Sequence, residues 1–420
     1  MYQKTTLDNG LRVVTETLPH TRAVSICIFI GVGSRYETEP EAGISHFIEH
    51  LCFKGTIKRP SSMEVSAAIE GVGGIINGGT DKELTLYWCK VARPHLPLAL
   101  DVLADMLLHS RFDPGDIESE RKIIIEEINM VRDSPSQRVD ILIDKLLWPG
   151  HPLGRDIAGS KESVATISRK MMLDYLAHQY LPSNTVVSIA GAFQHQEMVA
   201  AVNQTLGGWA KLKPHPGYLA YKGQPFPRLH IETKDTEQAH LCLGLTGLPL
   251  LHPQRFTLDL LNVILGEGMS SRLFTEIRDR LGLAYSIHSF ADHFLDTGSI
   301  TIYAGVEPKN LPLAITAILE QLSQLKKLVP EAELSKAKEL SKGQLLLRME
   351  DSRSVAGWMG GQEILTGRTL SVDQVMSIID TITAEDIRQL AEELLVSSQL
   401  RLAVVGPIAD DAPLDELLKL

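Results

Sequence analysis

The sequence contains two copies of one pattern, and this duplication limits the folds that the chain can adopt. Residues 91–99 (VARPHLPLA) reappear as residues 306–314 (VEPKNLPLA), 215 positions later. The same offset carries the apolar segment 24–30 onto the segment 239–245. Each copy opens with alternating or β-branched segments, continues with long stretches of helical periodicity and ends with a further strand. The pattern predicts an α+β fold of two homologous domains, each a β-sheet packed with helices.

A proline-rich segment separates the two copies. Residues 210–227 contain four prolines, and these disfavour regular helix and strand. We therefore predict a first domain at 1–209, a linker at 210–227 and a second domain at 228–420. A chain of 420 residues agrees with this division, because single hydrophobic cores rarely extend beyond about 250–300 residues.

Charge and composition exclude several classes of partner. The net charge is -11 and the pI is about 5.7, so we expect no binding of nucleic acid or of an anionic membrane, both of which need concentrated positive charge. No apolar run approaches the roughly 18 residues of a membrane span, and residues 1–17 resemble an amphipathic strand more than a signal peptide. We therefore expect a cytoplasmic location. The four cysteines lack paired spacing and are expected to be buried reduced thiols.

Two histidines and a glutamate give the strongest chemical signal in the first copy. His46 and His50 are four positions apart, so on a helix both imidazoles project from one face and can bind one metal ion. Glu49 lies beside them, where a carboxylate can accept a proton from metal-activated water. The pattern predicts a metal-dependent hydrolytic site, against the alternative of a chance match on a solvated helix.

The third ligand is expected from the charged helical segment 116–134. Catalytic zinc commonly has two histidines and a carboxylate and keeps one further position for water. Glu120 and Glu127 are seven positions apart, two turns along one helix face, so that one can ligate the metal while the other orients a ligating histidine. Spacing alone does not choose among Glu120, Glu126 and Glu127.

Several longer segments, in this order, resemble the pitrilysin and mitochondrial processing peptidase family, particularly its half-size bacterial members. The resemblance covers essentially the whole chain. Its matching segments include GVGSRYE (31–37), GISHFIEHLCFKGT (43–56), ESERKIIIEEINMVRDSP (118–135), HPLGR (151–155) and MSSRLFTEIRDRLGLAYSI (269–287). After His50, 76 residues precede Glu127, and this is the spacing at which the family has its glutamate ligand. The resemblance thus implies Glu127 as the ligand and Glu120 as the family's accessory glutamate.

The resemblance also implies residues that contact substrate. The family has an edge strand that pairs with extended substrate, with the pattern Gly-Gly-x-x-Asn-Ala; here residues 73–78 are GGIING, so Gly78 replaces the alanine. Asn77 is therefore a candidate substrate contact, against the alternative of a turn residue. The family's arginine and tyrosine, seven positions apart, correspond to Arg278 and Tyr285, which are expected to hold a substrate carbonyl.

The second copy lacks the metal-binding motif. At the same offset, the positions of the two histidines and the glutamate hold Leu261, Ile264 and Leu265. We therefore expect one zinc ion per chain, bound by the first copy alone. Manganese and cobalt stay open as alternatives, because histidine and carboxylate ligands accept several divalent metals.

The resemblance implies a zinc-dependent endopeptidase that hydrolyses short peptides or unfolded segments. Half-size family members generally pair, so a homodimer is expected. The alternative is a non-catalytic core or scaffold subunit of the same family, although a scaffold has no physical need of an intact metal motif. Non-catalytic members carry a glycine-rich loop where this chain has residues 264–272. Here Glu267 interrupts the glycine run, and the sequence leaves open whether the loop gates substrate.

Overall fold

The computed structural model describes residues 2–211, 217–223, 227–410 and 412–420. Within these residues the chain forms two compact units, and each unit contains one β-sheet with packed helices. The predicted fold class, an α+β chain of two homologous domains, is therefore confirmed.

Six strands form the sheet of the first unit. They are β1 (Gln3–Thr6), β2 (Arg12–Thr17), β3 (Ala23–Ile30), β4 (Ile75–Thr80), β5 (Thr85–Ala92) and β6 (Thr185–Gly191). Their order in the sheet is β1-β2-β6-β3-β5-β4. The β2–β6 pair is parallel and the other pairs are antiparallel. Among the described residues, β4 therefore lies at one edge of the sheet and pairs with β5 alone.

Five strands form the sheet of the second unit. They are β7 (Leu229–Thr233), β8 (Ala239–Thr246), β9 (Ala284–His293), β10 (Gly298–Val306) and β11 (Arg401–Gly406). Their order is β7-β11-β8-β10-β9. As in the first sheet, one pair is parallel, here β7 with β11, and the other pairs are antiparallel.

The α-helices of the described residues lie between the strands or after them along the chain. In chain order they are α1 (Ile44–Cys52), α2 (Ser62–Glu70), α3 (Leu96–His109), α4 (Pro114–Asp133), α5 (Pro135–Leu147), α6 (Lys161–Thr166), α7 (Arg169–Gln179), α8 (His195–Leu206), α9 (Arg255–Gly266), α10 (Leu311–Leu325), α11 (Glu331–Arg348), α12 (Ser352–Thr366), α13 (Val372–Thr381) and α14 (Ala384–Leu394). None of them has both the length and the hydrophobicity that crossing a bilayer requires.

The repeated nonapeptide adopts the same local structure in both copies. Residues 91–99 end β5, form a short 3-10 turn at Arg93–His95 and begin α3. Residues 306–314 end β10, form the matching turn at Pro308–Asn310 and begin α10. The duplication detected in the sequence is thus also a duplication of strand, turn and helix.

Side chains of β3 alternate between two hydrophobic clusters on opposite faces of the first sheet. Ile26 and Ile28 belong to the cluster that includes Phe47 and Ile48 of α1. Cys27 and Phe29 belong to the cluster that includes α12. Because successive strand residues point to opposite faces, α1 and α12 cover different faces of this sheet. The metal motif is therefore carried by a helix anchored in the core.

Two helices belong to a different compact unit from the one that their position in the sequence copies predicts. α5 follows α4 in the first copy, yet it belongs to the second unit and packs on β8 and β11. α12 lies in the second copy, yet it belongs to the first unit and packs on β3 and β6. The predicted ranges 1–209 and 228–420 delimit the sequence copies, whereas the first unit contains Leu346–Ser371 and the second contains Asn129–Arg155.

The predicted linker at 210–227 lies only partly within the described residues. Residues 212–216 and 224–226 lie outside them, and these include three of the four prolines. Residues 217–223, between the two gaps, form neither helix nor strand.

A buried carboxylate of α12 lies at the centre of a cluster of polar side chains from β1, β2 and the residue before β1. Glu363 is fully buried, and its carboxylate lies 2.5 Å from Nζ of Lys4 and 3.2 Å from Nη1 of Arg12. The hydroxyl of Tyr2 donates a hydrogen bond to the same carboxylate at 3.1 Å. These contacts join α12 to the first sheet.

We expect Glu363→Ala to lower the free energy of unfolding of the first unit by about 2 kcal/mol, because it removes charge-assisted hydrogen bonds from Lys4 and Arg12, whose side chains stay partly exposed to water. Urea denaturation followed by circular dichroism measures the change. Asp174→Ala is the control, because it removes an exposed ion pair with Lys170 and should cost less than about 0.5 kcal/mol. Equal losses in both variants would contradict the role given to Glu363.

Candidate metal centre

The helix α1 orients the predicted metal ligands. Its apolar residues Ile44, Phe47 and Ile48 are fully buried, and their helical spacing anchors one side of the helix in the core. His46, Glu49 and His50 are only partly buried. The three polar side chains therefore project together from the other side of α1, as their spacing predicts.

Three donor atoms converge at this position. Nε2 of His46 lies 3.2 Å from Nε2 of His50. Oε2 of Glu127, from α4, lies 3.8 Å from each of these nitrogens. Bonds of about 2.0–2.2 Å at tetrahedral angles place the ligand atoms of a zinc ion about 3.3–3.5 Å apart. Two imidazoles and a carboxylate at these separations fit a zinc ion.

Burial keeps the imidazole of His46 in the form that binds metals. It lowers the pKa of His46 to about 4, and the neighbouring His50 contributes in the same direction. At neutral pH the ring of His46 is therefore uncharged, and one of its nitrogens offers a lone pair.

The carboxylate of Glu49 lies close to the two imidazoles. One oxygen of Glu49 and one nitrogen of each histidine lie within 4.8 Å of one another. Burial raises the pKa of Glu49; His50 opposes this shift and Glu127 adds to it. A carboxylate with a raised pKa accepts protons more readily near neutral pH. These distances also bring Glu49 within reach of a metal, so the geometry allows Glu49 to act as a base or as a ligand.

Glu120 orients His50. Its Oε2 lies 3.0 Å from Nδ1 of His50, and its Oε1 lies 2.5 Å from Nζ of Lys54. A hydrogen bond donated by Nδ1 leaves Nε2 free for a metal, and such outer partners are common around metal-binding histidines. Lys54 was not among the predicted site residues. The available signal was its position four residues after His50, the spacing of neighbours on one helix face.

The structure separates the three glutamates of α4. Glu120 is buried beside His50, and Glu127 lies between the two histidines. Glu126 is exposed, and one residue along an α-helix turns the side chain by about 100°. Glu120 and Glu127 therefore lie on the same face of α4, and this face is directed toward the two histidines.

The edge strand β4 contacts α1. Its side chains alternate between exposed and partly buried positions, so Asn77 and Gly78 lie on opposite faces. Oδ1 of Asn77 accepts a hydrogen bond from the backbone N–H of Gly78 at 2.7 Å. A Cβ atom at Gly78 would lie 2.6 Å from Oε1 of Glu49 and 2.9 Å from Cε2 of Phe53. The departure from the family's alanine therefore makes room for the carboxylate of Glu49.

We expect Gly78→Val to lower kcat for peptide hydrolysis at least about 10-fold, because the added side chain displaces the carboxylate of Glu49 from its place beside the histidines. Zinc content should not change. Gly79→Val is the matched control, since a Cβ at Gly79 meets no atom within 4 Å, and we expect its kcat to stay near that of the wild type. Equal kcat values for both variants would contradict this role of Gly78.

Arg278 and Tyr285 lie in the second unit and contact each other. The guanidinium carbon of Arg278 lies 4.8 Å from the centre of the Tyr285 ring and 4.6 Å from that of Phe274. Arg278 belongs to a π-helical segment, Phe274–Arg280, and Tyr285 lies near the start of β9. The side chain of Tyr285 is exposed. The structure brings the two predicted residues together, and their contact with substrate stays a prediction.

Comparisons with known proteins decide the family. A family model described as Insulinase (Peptidase family M16) matches residues 12–161, and one described as Peptidase M16 inactive domain matches residues 166–341. A Bacillus subtilis protein named uncharacterized zinc protease YmxG is 37% identical over 97% of this chain and 98% of its own length. The chain belongs to peptidase family M16. This confirms the family resemblance seen in the sequence.

Solved structures share the fold of this chain. A protease from Helicobacter pylori aligns with a TM-score of 0.90 at 24% identity, covering 97% of this chain and 99% of its own. A chain of complex III2 from Candida albicans aligns with a TM-score of 0.84 at 20% identity, covering 99% and 98%. The shared fold thus extends over essentially the whole chain.

Proposed function

We propose that this M16 protein is a zinc-dependent endopeptidase that hydrolyses peptide bonds in short peptides or unfolded segments. The convergence of His46, His50 and Glu127 beside Glu49 supports this proposal. The relative from Bacillus subtilis and one from Mycobacterium leprae, which is also 37% identical, are both named zinc proteases, and this adds support.

The proposed roles follow from the chemistry of each side chain. His46, His50 and Glu127 bind one zinc ion per chain. A zinc ion supplies a Lewis acid that polarises a carbonyl group and lowers the pKa of water. Glu49 accepts the proton of the attacking water and then gives it to the leaving amine. Glu120 keeps the ring of His50 in the orientation that binds the metal.

The substrate backbone pairs with the open edge of β4. In the structure the N–H of Gly78 donates a hydrogen bond to Oδ1 of Asn77. When substrate pairs with β4, this N–H donates to a carbonyl oxygen of the peptide instead. Asn77 then becomes available to a substrate group. Arg278 and Tyr285 are proposed to donate hydrogen bonds to a substrate carbonyl oxygen and to stabilise the negative charge that develops on it.

A mixed peptide library tests the proposed activity. The purified protein is incubated with the library with and without a chelator, and the cut sites are determined by mass spectrometry. We expect internal cleavage that the chelator abolishes and that added zinc restores. Cleavage that persists after the metal is removed, or no cleavage by zinc-loaded protein, would contradict the proposal.

A non-catalytic core subunit is the second candidate function. The likeness to a chain of the Candida albicans complex III2 and the match of residues 166–341 to an inactive M16 domain also fit this function. Metal analysis of the purified chain separates the two candidates. About one zinc per chain supports the peptidase, whereas less than a trace at neutral pH supports the scaffold.

We also propose that the protein is a cytoplasmic homodimer, as the resemblance to half-size family members implies. Light scattering of the purified protein measures its mass during turnover. A mass near twice 46.3 kDa would support the dimer, and a mass of 46.3 kDa would contradict it.

A further inference from the structure

The two histidines of the candidate centre are supported in different ways. His50 is oriented by a side chain, because its Nδ1 lies 3.0 Å from Oε2 of Glu120. Nδ1 of His46 is also buried, but it forms no hydrogen bond with the part of the chain that the structure describes. The orientation of His46 therefore depends on the backbone of α1 and on the packing of its neighbours.

Glu37 binds the backbone at the start of α1. One of its carboxylate oxygens accepts the N–H of Gly43 at 2.8 Å, and the other accepts the N–H of Ser45 at 2.9 Å. Glu37 itself is only 3% exposed. The residue before the helix, Gly43, has a φ of 93° and no side chain that could cap the helix. Glu37 thus replaces the missing N-cap from six positions upstream.

This cap is strong for electrostatic reasons. The first N–H groups of an α-helix have no partner within the helix, and together they carry a partial positive charge. A carboxylate that accepts two of them forms charge-assisted hydrogen bonds, which are shorter and stronger than those between neutral groups. Burial of Glu37 shields these bonds from competing water.

The residues on both sides of His46 are held in place. The N–H of Ser45 is bound by Glu37, and its hydroxyl lies 2.8 Å from the hydroxyl of Tyr175. Phe47 is fully buried, and the guanidinium carbon of Arg121 lies 5.4 Å from the centre of its ring. The backbone at His46 is therefore fixed from both directions, and with it the direction in which the imidazole leaves the helix.

We propose that Glu37 is a positioning residue for His46. It acts through the first turn of α1 and touches neither metal nor substrate, and the inference rests on the zinc site of the proposed function. Without the cap, the first turn frays and His46 spends part of its time turned away from His50. Zinc binding must then order this turn, so the affinity for zinc falls.

The test compares zinc affinities of Glu37→Ala and Glu37→Gln with that of Glu41→Ala. Glu41 is the matched control, because it lies in the same loop but accepts its hydrogen bonds from Thr38 and not from α1. Dissociation constants come from competition with a chromophoric chelator, and thermal melting of the metal-free proteins is measured in parallel. We expect Glu37→Ala to weaken zinc binding about 10- to 100-fold, as loss of outer-shell partners does. Glu37→Gln, which keeps one acceptor oxygen, should lose less, and Glu41→Ala should bind as the wild type does.

The outcomes separate positioning from mere stabilisation. If Glu37→Ala melts at a lower temperature but binds zinc with wild-type affinity, Glu37 is only a stabilising cap and the inference is wrong. If Glu37→Ala does not fold, Glu37→Gln decides, and an unchanged affinity in that variant overturns the inference. Wild-type protein that binds no zinc overturns the proposed function together with this inference. Wild-type protein that binds zinc but cleaves no peptide overturns only the activity, and the zinc affinities still decide the role of Glu37.

Discussion

Replacing Glu49 by glutamine is expected to lower kcat for peptide hydrolysis about 10³-fold or more, while zinc stays bound. Glutamine has nearly the same size and keeps a hydrogen-bonding oxygen, but it cannot accept the proton of the attacking water. A peptide cleaved in the library experiment serves as the substrate for the kinetics. The zinc content of the purified variant is measured by mass spectrometry of the metal.

The two readouts of Glu49→Gln distinguish a base from a ligand. Low kcat with full zinc content supports Glu49 as the base. Loss of zinc would instead make Glu49 a ligand, a role that its distance from the histidines also allows. Near-normal turnover would exclude both roles. Glu70→Gln, which changes an exposed carboxylate at the end of α2, is the control and should behave as the wild type does.

Replacing Glu127 by alanine is expected to weaken zinc binding by more than about 100-fold and to abolish hydrolysis with it. The reason is the loss of one of three proposed protein ligands, a larger change than the loss of an outer-shell partner, which costs about 10- to 100-fold. Zinc affinity is measured by chelator competition at neutral pH. An affinity equal to that of the wild type would remove Glu127 from the metal site.

The neighbouring glutamates of α4 provide the controls. Glu126→Ala changes an exposed residue one position away and should leave zinc affinity unchanged. Glu120→Gln should weaken zinc binding about 10- to 100-fold, because Glu120 orients His50 without binding the metal itself. Together the three variants test whether the loss of zinc affinity decreases from Glu127 to Glu120 to Glu126, as the geometry indicates. A larger loss for Glu126 than for Glu127 would contradict the geometry.

Helical periodicity explains why part of the site was predictable. His46 and His50 lie on one face of α1 because four residues make about one turn, and Glu120 and Glu127 lie on one face of α4 for the same reason. Such relations hold within a single element and do not depend on what the element packs against. These relations can therefore be predicted from the spacing of the residues in the sequence.

The choice of Glu127 required information from outside the local sequence. Spacing left Glu120, Glu126 and Glu127 open, and only the family resemblance favoured Glu127. The structure supplies a physical reason, because the rotation of α4 about its axis brings Glu120 and Glu127 toward α1 and leaves Glu126 exposed. That rotation is fixed by the burial of Ile117 and Ile124 in the core.

The duplication gave the fold class but not the composition of the compact units. Two similar halves, each with strands and helices, were evident from the offset of 215 residues. The assignment of α5 to the second unit and of α12 to the first was not. Both helices have a buried apolar face, and amphipathic periodicity shows that a helix needs a partner without showing which one.

The local sequence thus determined the helix with its histidine pair, the strands and the repeat, because secondary structure depends on the pattern of a few neighbouring residues. Packing alone established three further features: the cap that Glu37 places on α1, the room that Gly78 leaves for Glu49, and the ion pair between Lys54 and Glu120. Each joins residues that lie in different elements of the chain or in the segments beside them. Such contacts arise only when the core brings the elements together, since burial and shape complementarity then decide which side chains meet.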